Sequence, residues 1–61
     1  MTVCPNCQRT FTDDQAFIRH RFDELADWFT NTGEHTNAHH YRTKDPTQFH
    51  LVNGIIERKV P

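Results

Sequence analysis

Two thiols and one imidazole stand at distinctive spacing near the start of the chain. Cys4 and Cys7 are separated by Pro5 and Asn6, and His20 follows Cys7 after twelve intervening residues. A Cys-x-x-Cys pair bends the backbone so that two sulfurs face one point, and an imidazole from a following helix can complete three corners of a tetrahedral Zn²⁺ site. The same pair could instead be a redox dithiol. That reading needs a thioredoxin-like strand-helix-strand unit, and a chain of 61 residues with five histidines favours the metal.

The fourth ligand is open in the sequence. Glu24 lies one helical turn after His20, but a carboxylate beside two thiolates is uncommon in structural sites. His35 sits just past the end of the expected helix. Five extended residues span roughly 17 Å, against about 15 Å of helix between His20 and Thr30, so its reach is taut but feasible. His39 and His40 have slack to spare. The set taken forward is Cys4, Cys7, His20 and His35, with His39, His40, Glu24 or an open position as alternatives.

These ligands need elements to hold them. Pro5 suits a tight knuckle flanked by two short strands. Thr12 or Asp13 is a good N-cap, and Asp13 and Asp14 complement the helix dipole. No Gly or Pro interrupts Asp13 to Asn31, and Gly33 is a natural stop. A helix from about Asp13 to about Thr30 follows. Ile18, Phe22, Leu25 and Phe29 make one apolar stripe on it, while Phe17, His20, Glu24 and Trp28 share an adjacent face. Residues 33–46 read as a His-rich loop. In the last segment, Asn53-Gly54 between two apolar, β-branched runs is a strong hairpin signal. It pairs Val52 with Ile55, Leu51 with Ile56, His50 with Glu57 and Phe49 with Arg58. The face carrying Phe49, Leu51, Ile56 and Val60 is expected on the helix stripe. His50 is expected in a cross-strand polar pair.

The pattern C-x2-C-x3-F-x5-F-x2-H, formed by Cys4, Cys7, Phe11, Phe17 and His20, resembles the first three-quarters of a C2H2 zinc finger, with Phe17 where a Leu is usual. The resemblance covers residues 4–20 and ends where a finger would carry its second His, at Glu24, Leu25 or Ala26. It implies a ββα fold and a Zn²⁺ cofactor. It also implies major-groove reading from Asp13, Gln15, Ala16 and Arg19, with Gln15 suited to adenine and Arg19 to guanine. Phe17-x-x-His20-Arg21 after the knuckle is similar to small bacteriophage zinc-binding proteins, which implies a viral or mobile-element origin.

Size and charge bound the rest. Sixty-one residues make one domain, a small α+β unit that is marginal without a staple. Its expected parts are a finger-like knuckle and helix (1–32), the His-rich loop (33–46) and the hairpin (47–60). Seven aromatic residues argue against disorder. With two cysteines and no apolar run near the length of a membrane span, the chain reads as intracellular and cytoplasmic. Net charge is -1, a poor balance for a stand-alone nucleic-acid binder. The basic residues Arg21, Arg42 and Lys44 nevertheless join Gln15 and Arg19 as candidate nucleic-acid contacts. The leading expectation is a zinc-dependent nucleic-acid-binding regulator. The alternative is a module that binds a host protein, and neither an enzyme nor a small-molecule site is expected.

Overall fold

The computed structural model describes residues 1–60. Two short strands, β1 (Thr2–Val3) and β2 (Thr10–Phe11), pair antiparallel with Thr2 opposite Phe11. Between them the chain folds back on itself: the Cys4 N–H donates to the Arg9 carbonyl and the Gln8 N–H to the Cys4 carbonyl, both at 2.9 Å. Gln8 takes a positive φ of 65° to close this knuckle, a conformation that costs a non-glycine residue some strain.

Helix α1 runs Asp14–Asn31. Its N-cap is Asp13, whose carboxylate accepts the Gln15 N–H at 3.1 Å, satisfying one of the donors every helix start leaves orphaned. At the other end, Gly33 at φ 85° lets its N–H reach the Thr30 carbonyl and the Glu34 N–H reach the Phe29 carbonyl. This double bond pattern is a Schellman stop, which favours glycine because the position is left-handed.

The expected loop at 33–46 is not a loop. Residues His35–Arg42 form a second helix, α2, followed by a 3-10 turn at Pro46–Gln48. Eight residues with no side-chain N-cap bond would not hold a helix in isolation. Packing supplies the missing stability: Ala38 is buried, and the Tyr41 ring stacks on Phe29 with centroids 5.5 Å apart and lies 6.0 Å from Phe22.

The hairpin forms as expected, with β3 (Phe49–Val52) and β4 (Ile55–Arg58) in the anticipated register. Asn53 and Gly54 both have positive φ, at 52° and 80°, as a two-residue turn matching strand twist requires. Phe49 joins Ile18 and Phe22 in the core, with Tyr41, Leu51 and Ile56 packed around it. Val60 does not join that face: pairing ends at Arg58, and Val60 is exposed. A second cluster, built on Phe11, Phe17 and His20, fills the space between knuckle and helix. Helix α1 is therefore shared by two small cores, one on each side. No helix among the described residues is long and apolar enough to cross a membrane.

Candidate metal centre

The knuckle and the His20–Glu24 stretch of α1 bring four candidate ligand atoms together. Those of Cys4, Cys7, His20 and Glu24 all lie within 4.8 Å of one another, so they could hold one metal ion. Cys7 Sγ is 3.2 Å from His20 Nε2, and Glu24 Oε1 lies 3.2 Å from Cys4 Sγ and 3.4 Å from the same imidazole nitrogen. The local sequence explains the convergence. His20 and Glu24 are four apart on a straight helix and so share one face. The Phe11 ring sits 4.9 Å from the His20 ring and 5.8 Å from Phe17, which fixes the imidazole against the β1–β2 ribbon. Cys4 is wholly buried, while Cys7 is exposed at the rim.

Glu24, not the expected His35, is the fourth group in this cluster. His35 opens α2 and lies outside the cluster, as do His39 and His40, all exposed. The reason is structural. Helix α1 continues unbroken to Asn31, and the chain then packs α2 against the Phe22–Phe29 side. The signal for Glu24 was present in the sequence: three residues separate it from His20, the spacing at which a finger's second His would stand.

Electrostatics favour the ionised forms of two members of the cluster, Cys4 and Glu24. For Cys4, burial pushes the thiol up. Hydrogen bonds from the backbone N–H groups of Cys7 and Asn6 outweigh that push, with the Glu24 carboxylate opposing and the Arg21 guanidinium assisting. The thiol ends below its ordinary value of 9.0. Burial likewise raises Glu24, but hydrogen bonds from Asn6 and Cys4 and the charges of His20 and Arg21 bring it below its ordinary 4.5. Groups depressed in the native state leave the unfolded chain holding more protons, so their stabilisation is present above the ordinary values and drains as pH falls through the lowered ones. Acid also protonates the thiolates and imidazole that a metal needs, so the metal-loaded chain is expected to melt at progressively lower temperature as pH falls from neutral, with no comparable loss on raising pH towards 9.0. A melting series across pH checks this; a midpoint indifferent to acid would contradict it.

The five expected nucleic-acid contacts are engaged inside the molecule. Gln15 Nε2 donates to the Phe49 carbonyl at 3.3 Å. Arg19 donates to the carbonyls of Arg42 and Lys44 and pairs with Asp23 at 3.4 Å. Arg21 Nη1 reaches Glu24 Oε1 at 3.0 Å and Cys4 Sγ at 3.7 Å. Arg42 pairs with Asp27 at 3.0 Å. Lys44 Nζ lies 2.6 Å from His40 Nε2 and over the Tyr41 ring. Of the four positions that would face a DNA groove, Gln15 is half-buried at the edge of the Ile18–Phe22 docking face, while Asp13, Ala16 and Arg19 remain exposed.

Beside the metal cluster lies a cleft lined by Pro5, Asn6, Arg21, Glu24, Leu25 and Trp28. Trp28, at 57% exposure, stands at its edge. No protein-family model, curated protein or solved structure matches the chain.

Proposed function

We propose that this chain is a zinc-stabilised protein-interaction module. Zn²⁺ suits the donor set, since two thiolates and an imidazole select a borderline-soft, tetrahedral ion. Cys4, Cys7, His20 and Glu24 would hold it, and its role would be to fix the knuckle on α1. With four protein donors converging, the site has the closed character of a structural centre.

The observation that carries the interaction reading is the cleft at the metal rim. An exposed Trp beside Pro5, Leu25 and an Arg has the composition of a binding hot spot. The occupant that fits is a peptide segment of another protein that inserts an apolar side chain between Leu25 and Trp28. The nucleic-acid reading has less support, because Gln15, Arg19, Arg21, Arg42 and Lys44 are all bonded within the chain.

A photo-crosslinking side chain at position 28 is expected to trap a protein in cells, in a zinc-dependent manner. The same group at exposed Glu57, outside this cleft, is expected to trap nothing comparable. Equal capture from both positions, or a gel shift of duplex or single-stranded nucleic acid at moderate salt, would overturn the reading.

A further inference from the structure

The carboxylate at the fourth corner has its own support. Glu24 presents its two oxygens to different partners. Oε1 faces the cluster, 3.2 Å from Cys4 Sγ and 3.4 Å from His20 Nε2. Oε2 is turned away and accepts a hydrogen bond from Asn6 Nδ2 at 2.9 Å. Asn6 lies between the two cysteines, so the loop that supplies the sulfurs also supplies the amide that orients the carboxylate. Arg21, one turn before Glu24 on α1, places Nη1 3.0 Å from Oε1 and 3.7 Å from Cys4 Sγ.

We infer that Asn6 and Arg21 are positioning residues that adapt a finger-like site to a carboxylate ligand, offering Oε1 alone to the metal and balancing the charge that the carboxylate adds. This inference rests on the zinc reading above. Its logic is electrostatic. A divalent ion with two thiolates and a neutral imidazole is uncharged; a carboxylate in the fourth place makes the centre anionic. A guanidinium hydrogen-bonded to both Glu24 and Cys4 restores neutrality where Cys4 is fully buried, and an uncompensated charge there would be costly. Asn6 meanwhile occupies Oε2, which keeps that oxygen away from the ion and locks the side-chain orientation. Outer-shell partners of this kind typically contribute 10–100-fold in metal affinity.

A merely structural role, such as shaping the knuckle, predicts the same loss whatever the fourth ligand is. The two cases separate in a double-mutant cycle. Zinc affinity is measured by competition with a chromophoric chelator for the wild type and for Asn6→Ala, Arg21→Gln and Glu24→His. The combinations of Glu24→His with each of the other two complete the cycle. In the wild-type background, Asn6→Ala and Arg21→Gln are each expected to weaken zinc by about 10–100-fold. In the Glu24→His background, where the fourth ligand is neutral and has no second oxygen, neither is expected to cost affinity. Equal losses in both backgrounds would overturn the inference, as would no loss in the wild type. Arg21 lies on the helix and not in the knuckle, so it gives the answer even if Asn6→Ala fails to fold. Should the wild-type chain itself bind no zinc, the zinc reading falls first and this inference with it.

Discussion

Stripping zinc from the loaded chain with a chelator is expected to abolish the dispersed NMR signals of Phe11, Phe17 and the knuckle, and restoring one equivalent of zinc is expected to bring them back. At typical per-residue stabilities a domain of this length holds only about 3–9 kcal/mol. Zinc binding in finger-sized peptides contributes roughly 10–16 kcal/mol at neutral pH, more than the whole of that margin. The geometry gives the reason to expect a metal on this side. Two sulfurs and a carboxylate converge within 4.8 Å, and once ionised they repel unless a cation sits between them. The strands that carry the knuckle are two residues each, too short to hold it by pairing alone. A spectrum that keeps its dispersion in the chelator would sink the zinc-dependent account of the fold.

Truncating Phe22 to Ala is expected to destabilise the zinc-loaded chain by about 3–5 kcal/mol, the usual cost of removing a buried aromatic side chain. Phe22 is 4% exposed. Its ring meets Phe49 edge-on at 5.1 Å and Tyr41 at 6.0 Å, so it joins α1 to both the hairpin and α2. At about 4–8 °C per kcal/mol for domains of this size, the melting midpoint should fall by at least about 12 °C. Trp28→Ala makes the internal contrast. Its side chain is 57% exposed and touches Phe29 edge-on, so its removal should cost clearly less stability than Phe22→Ala, while weakening capture of any partner at the cleft. A Phe22→Ala variant that melts within a few degrees of the wild type would mean that the second core does not stabilise this fold.

Taken together, these two experiments separate the halves of the molecule. On the zinc reading, the metal would organise residues 1–12 against α1. The Ile18, Phe22 and Phe49 cluster organises everything after Gly33. A free-standing finger-like unit has only the first of these. The second ties Gln15 to the hairpin and Arg19 to the end of α2.

Local chemistry was legible in the residues themselves. The knuckle, the gathering of Cys4, Cys7 and His20, the Asp13 cap, the Gly33 stop and the Asn53-Gly54 hairpin with its register all depend on neighbours within a few positions or on one helical repeat. Such features are written in short stretches of chain. What spacing could not decide was everything that depends on where distant segments settle. Helix α2 has weak intrinsic signals and exists because Tyr41 and Ala38 find α1. Its formation carries His35, His39 and His40 away from the candidate cluster, in which Glu24 stands as the fourth group. The same docking commits Arg19, Arg42 and Lys44 to internal partners, although their charges alone had marked them as free for a ligand. A side chain's type and period set what it is able to bind, and only the packing of remote elements sets which partner reaches it first.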